Sequence, residues 1–197
     1  MSVQLPDDQT SKEERQKRHY KMLNELQNMA RELPLTFQQR LPYDLLSSLA
    51  SSLLDSTVYD IVHSLEEVQH LEEKAMCSTR SRMVSEHKAQ HHVMQKKHKE
   101  LLQQCENKPH NIPLVQAQID RELEMINKRC DEEMKKKDMK IILELDQKAM
   151  EQQNLLEKVG VPGFYVTNNK LEMRLQMYLL DFIMRISRAE KEGKFDT

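Results

Sequence analysis

Apolar residues recur at helical spacing along most of this chain, with few breaks. Met22, Leu23, Leu26, Met29, Ala30 and Leu33 follow the i, i+3, i+4, i+7 pattern, which predicts an amphipathic helix over residues 11–33. Ser11 with Glu14 has capping-box spacing, and Pro34 enforces the stop. After Phe37 and Leu41, Pro42 opens a helix whose Leu45, Leu46, Leu49, Ala50, Leu53 and Leu54 form a broad apolar face. Asp55, Ser56 and Thr57, with Asp60 beyond, have the chemistry to cap another helix, with an unbroken continuation of the preceding helix as the alternative. Val58, Ile61, Leu65 and Val68 then step by 3, 4 and 3, the a/d rhythm of a left-handed seam. Past Ala75 the apolar positions thin to Met76, Met83, Met94, Leu101 and Leu102. His87, His91, His92 and Lys97 fall among them, which predicts a weaker, wetter stretch. Further on, Leu123, Met134, Leu145 and Leu156 are spaced by 11, as are Ile119, Cys130 and Ile141. That repeat, about 3.67 residues per turn, makes a nearly straight stripe.

The helix breakers turn this pattern into an architecture. Glycine occurs only at Gly160, Gly163 and Gly193, and proline only at Pro6, Pro34, Pro42, Pro109, Pro113 and Pro162. The uninterrupted runs 43–108 and 114–159 meet at one turn, 106–113, marked by Pro109, Asn111 and Pro113. Residues 60–163 hold no Phe, Tyr or Trp, which suits the arms of a helical hairpin better than a globular core. Antiparallel arms would oppose residues whose numbers total about 220. Gly160 suits a helix C-cap and Pro162 blocks continuation. Asn168 or Asn169 (the latter with Glu172 at box spacing) is placed to cap a last helix bearing Leu171, Leu175, Tyr178, Leu179, Phe182, Ile183 and Ile186.

The expected fold is all-α: a long antiparallel helical hairpin (coiled coil) with a small helical head formed by the N- and C-terminal helices. Residues 1–10 read as a disordered leader and 11–57 as the N-terminal head helices. Residues 58–159 read as the hairpin, and 160–197 as a loop and C-terminal helix on the head. A homodimer through the arms fits the same pattern.

Composition narrows the function. The chain is 31% charged and 5% aromatic, and its formal net charge is only -2. So balanced a charge gives no electrostatic reason for nucleic acid or an anionic membrane as main partner. Cys77, Cys105 and Cys130 form no C-x-x-C pattern, and the hairpin register keeps Cys105 and Cys130 apart, so reduced thiols are expected. The first residues lack an apolar signal region, and no apolar run approaches the roughly 18 residues of a membrane span. Nucleus and/or cytoplasm is the expected location, not secretion.

Catalytic motifs are missing. His87 and His91 share a helical face, but a zinc site needs three or four ligands, and Lys88 breaks the H-E-x-x-H pattern. The bland reading, a solvated polar stretch with no metal, is preferred. There is no phosphate-binding glycine loop and no G-x-S-x-G serine, so neither an enzyme nor a cofactor is expected. Basic clusters at Lys12, Arg15, Lys17 and Arg18, at Lys96, Lys97 and Lys99, and at Lys135, Lys136 and Lys137 support an alternative. That alternative is a nuclear, nucleic-acid-associated protein, with a weak import signal. The arms lack stacking aromatics, and Glu132, Glu133 and Asp138 bracket the lysine triplet, so solvated faces are the preferred reading.

Several segments resemble one family, the insect gonadal and vertebrate DiGeorge critical-region six proteins. They include Glu32-Leu-Pro34, Phe37-Gln-Gln-Arg-Leu41, Gln69-His-Leu71, Pro109-His-Asn111, Leu143-Glu-Leu-Asp146, Gly163-Phe-Tyr-Val-Thr167 and Leu175-Gln-Met177. The leader, the Met- and Lys-rich arms and the short tail depart from the vertebrate pattern and point to an invertebrate gonadal-type member. The resemblance implies a developmental or gonadal role and no catalytic activity, and it supplies no binding residue. The reading that follows is a non-enzymatic adaptor or scaffold whose protein partners are unnamed. Phe164, Tyr165, Leu175, Leu179 and Phe182 are its candidate interaction or head-core residues.

Overall fold

The computed structural model describes residues 7–195. The fold is all-α, with no strand among the described residues. Its helices are α1 (Asp7–Arg31), α2 (Leu35–Gln38), α3 (Tyr43–Ser52), α4 (Thr57–Gln104), α5 (Ile112–Val159) and α6 (Lys170–Lys191). A 3₁₀ turn, Pro109–Asn111, joins α4 to α5. The chain divides into two compact units, one of residues up to 69 with those from 148 onward, the other His70–Gln147.

In the first unit α1 packs on α2, α3 and α6. Its Met22, Leu23, Leu26, Met29 and Ala30 are buried, the face that the sequence periodicity predicts. The helix begins at Asp7 rather than Ser11, so Ser11 and Glu14 lie within it rather than at its start. The leader assigned to residues 1–10 is thus helical from Asp7; its first six residues lie outside the described ones. Pro34 prevents continuation past the end of α1. The Gln38 amide donates to the carbonyls of Arg31 (3.0 Å) and Leu33 (2.7 Å), satisfying acceptors the helix leaves open.

The break before α4 is real. Asp55 makes it, accepting from the backbone N–H of Thr57 at 2.8 Å and from its hydroxyl. Val58, Ile61 and Leu65 then pack in the core, but Val68 is half exposed, so the seam rhythm ends at Leu65. Tyr59 and Val62 are buried too, giving a face wider than a two-helix seam, because α4 here packs into a multi-helix core. Burial pushes the Tyr59 phenol up to about 12.

The second unit pairs α4 and α5 antiparallel. Arg80 grips Asp138 with two hydrogen bonds (2.7 and 3.0 Å), and His87 meets Glu133 at 2.8 Å. Arg129 donates to Gln90 at 2.6 Å, and His98 meets Glu122 at 3.1 Å. Each pair's numbers total about 220, the register expected for this turn. The wet-stretch reading fails at two residues, since His87 and His98 are only 8% and 5% exposed. They stand where the thinning apolar pattern leaves few large side chains to face Ile119, Ile126 and Cys130. Carboxylates offset the cost of burying them. Ile119 and Cys130 are buried and Ile141 half buried; in the other 11-residue series Leu123 and Met134 are half buried, Leu145 is exposed and Leu156, in the first unit, is fully buried.

Glu122 accepts from the Gln118 amide (3.0 Å), His98 (3.1 Å) and Lys97 (3.4 Å). Gln118 first, then His98 and Lys97, hold its carboxyl down at about 2, against an ordinary 4.5. A carboxylate pKa depressed by folding contributes stability above its unfolded value and loses it as pH falls through the folded value. Glu122 therefore contributes fully above about 4.5 and progressively less down to about 2. Its carboxyl carbon, followed by NMR through an acid titration, is expected to shift near the bottom of that window. A midpoint at 4.5 would contradict the cross-helix network.

Candidate interaction site in the helical head

The head's distinctive surface is the segment between α5 and α6. Gly160 ends α5 with a φ of 81°. Its N–H donates to Glu157 (2.9 Å), and the Val161 N–H reaches back to Leu156 (3.0 Å), which is a Schellman closure. Val161 is buried and anchors the chain as it leaves the helix. At Gly163 the backbone takes a φ of 88° and runs so close to the core that an added Cβ would sit 2.6 Å from Leu179 Cδ1. Leu45 lies behind, at 3.5 Å.

Beyond Gly163 two buried glutamines hold the backbone. Gln176 of α6, 4% exposed, donates its amide N–H to the Tyr165 carbonyl at 2.9 Å. Gln153 of α5, 6% exposed, accepts the Thr167 N–H on its Oε1 at 3.1 Å. Asn169 closes the segment, accepting the Leu171 N–H at 2.9 Å as the N-cap of α6. Glu172 does not complete the capping box; it pairs with Arg40 at 3.2 Å instead.

The side chains on this frame divide cleanly. Phe164 is buried, as are Leu179 and Phe182, both essentially inaccessible, and Leu175 packs partly against the same cluster. Tyr165 (42% exposed), Val166 and Leu171 point outward. Of the five residues singled out in the sequence, four are therefore core and only Tyr165 offers surface. Tyr178 also turns inward, stacking edge-on against Phe37 at 5.1 Å. The glutamines were missed as positioning groups. A polar residue between Leu175 and Leu179 on the buried face of α6 was the available signal for Gln176.

Pro109, Asn111 and Pro113 lie at the junction of α4 and α5. Pro109 and Asn111 bound the 3₁₀ turn and Pro113 occupies the first turn of α5, where its missing N–H costs nothing. Cys77 is exposed, Cys105 half buried and Cys130 buried, and all three are free thiols. Among the described residues no cluster of three or more His, Cys, Asp or Glu could hold a metal ion, and no helix is long and apolar enough to cross a membrane. Arg15, Lys17 and Arg18 of α1 line an open cleft of about 640 Å³ together with Ser11, Leu54 and Phe195. Glu14 and Asp55 line it too, and Arg18 is paired with Glu190.

Comparison with known proteins gives this fold a family. The model of the DiGeorge syndrome critical region 6 (DGCR6) protein family matches residues 2–194. The chain belongs to that family. It is similar to the chicken (Gallus gallus) protein DGCR6, at 48% identity over 179 residues, 91% of this chain and 88% of the chicken protein. It is also similar to the gonadal protein gdl of Drosophila melanogaster, at 36% identity over 177 residues, 90% of this chain and 84% of the fly protein. No solved structure matches. This membership associates the chain with developmental and gonadal proteins, and the family is not a known enzyme family.

The division of side chains makes a direct prediction. Phe164→Ala should destabilise the head by about 3–5 kcal/mol, the usual cost of emptying a buried aromatic site. Tyr165→Ala, at a solvent-facing position, should stay within about 1 kcal/mol of the parent. Urea denaturation of both variants checks this; equal losses would mean Tyr165 belongs to the core.

Proposed function

We propose that the protein is a non-enzymatic adaptor or scaffold serving a developmental or gonadal process, with the segment 160–169 and the start of α6 as its partner-binding surface. The observation that carries this reading is an exposed apolar group on a fixed frame. Tyr165, Val166 and Leu171 face outward, while Gly163, Gln153, Gln176 and Asn169 pin the backbone beneath them. Partners bind best to surfaces that need no ordering, because immobilising a flexible loop costs affinity. A tyrosine flanked by aliphatic side chains supplies a rigid, amphipathic anchor of the type that dominates protein interfaces.

Family membership supports the developmental setting. The role is written for the nucleus or cytoplasm, where three free thiols are at home.

Affinity capture from gonadal extract, read by mass spectrometry, tests the proposal. The parent chain and a Tyr165→Ser/Val166→Ser variant of unchanged helicity should be compared. The reading expects a reproducible set of proteins held by the parent and depleted at least tenfold by the variant. Identical sets from both would remove this surface from the function.

A further inference from the structure

Within the second unit, α5 carries a second apolar line that its partner helix does not reach. Its inner face, marked by buried Ile119, Ile126 and Cys130, is turned to α4. At about 100° per residue, Leu114, Met125, Met139 and Leu143 fall within about 40° of one line on roughly the opposite side. They are 70%, 72%, 59% and 61% exposed. Exposed apolar residues scattered singly need no explanation, but these four share one helical line, on which charged residues stand between them.

The charges on the same line identify what would cover it. From Arg121 the line runs through Met125, Lys128, Glu132, Lys136, Met139 and Leu143 to Asp146, in steps of three and four, and all eight residues are exposed. A two-fold interface requires that if one residue meets another, the reverse contact also forms. When this line is laid antiparallel on its own copy, one register satisfies every position. Arg121 then faces Asp146 of the second copy, and Met125 faces Leu143. Lys128 lays its methylene stem along Met139, and Glu132 meets Lys136. Each pairing occurs twice. A parallel arrangement would oppose Arg121, Lys128, Glu132, Lys136 and Asp146 to their own copies, like charge against like, which is destabilising.

We infer that the outer face of α5 between Arg121 and Asp146 is a self-association surface, docking antiparallel on the same face of a second copy. This deepens the scaffold reading by naming one partner as the chain itself. It stands apart from the Tyr165 surface, since its test uses purified protein alone.

The pairing of Glu132 with Lys136 provides that test. Glu132→Lys leaves two lysines facing two lysines in a homodimer, and Lys136→Glu leaves glutamates facing glutamates. Mixed together, the two variants restore opposite charges at every contact. Sedimentation of the full chain at micromolar to near-millimolar concentration should show the parent dimerising and each variant remaining monomeric. The equimolar mixture should recover a doubled apparent mass. A parent that stays monomeric, single variants that dimerise like the parent, or a mixture that fails to recover would each overturn the proposal. Should either variant lose helicity, disulfide trapping replaces it, in proteins whose Cys77 and Cys105 are changed to serine. Met125→Cys mixed with Leu143→Cys should cross-link and neither alone should; the absence of a mixed cross-link rejects the register.

Discussion

The contact that organises the head is the approach of backbone to core at Gly163. A Cβ there would meet Leu179 Cδ1 at 2.6 Å, and that fully buried side chain would have to repack to make room. The positive φ of Gly163 aims the chain from the end of α5 towards α6, so the loop has one path across the core. Phe164 then drops into the core and Tyr165 is left outside. The buried glutamines act on a backbone already delivered to them, with Gln176 taking the Tyr165 carbonyl and Gln153 the Thr167 N–H. A shift of the loop at Gly163 would leave both amides unpaired inside the protein, which costs more than the bonds themselves contribute.

The second unit solves a different problem, that of joining two long helices with little apolar material. Ile119, Ile126 and Cys130 are buried, and His87 and His98 fill inner positions, each hydrogen-bonded to a carboxylate, Glu133 and Glu122. Arg80 with Asp138 adds a bidentate clasp. Exposed pairs of this sort contribute little each. Their value here is in fixing register, because one slipped residue would set each partner against the wrong side chain. Helix α5 carries apolar residues on both sides, with Ile119, Ile126 and Cys130 buried and Met125, Met139 and Leu143 exposed.

Much of this was legible in the sequence, and the misses share a cause. Apolar periodicity located the core faces of α1, α3 and α6, because burial of a helical stripe is a local property. Prolines at 34, 42 and 109, glycine at 160 and Asn169 located ends and caps for the same reason. The two proline-free runs even gave the cross-helix register. What escaped were residues whose role depends on a distant partner. His87 and His98 read as solvated because their carboxylates lie on the other helix. Gln153 and Gln176 belong to no motif that marks them in the sequence, because the backbone they hold is elsewhere in the chain. Val68 read as seam because the end of the multi-helix core cannot be seen in a rhythm. Phe164 and Tyr165 could not be told apart until the path at Gly163 was known.

Comparing alanine at the two loop glycines tests the central claim most directly. Gly160 and Gly163 have similar positive φ, but a Cβ at Gly160 meets open space. Gly160→Ala should therefore cost only the left-handed backbone penalty, about 1–2 kcal/mol. Gly163→Ala should add the cost of overpacking against Leu179, about 1–3 kcal/mol more. Equal destabilisation of the two variants in chemical denaturation would contradict the account, because the loop would then not be held by its approach to the core.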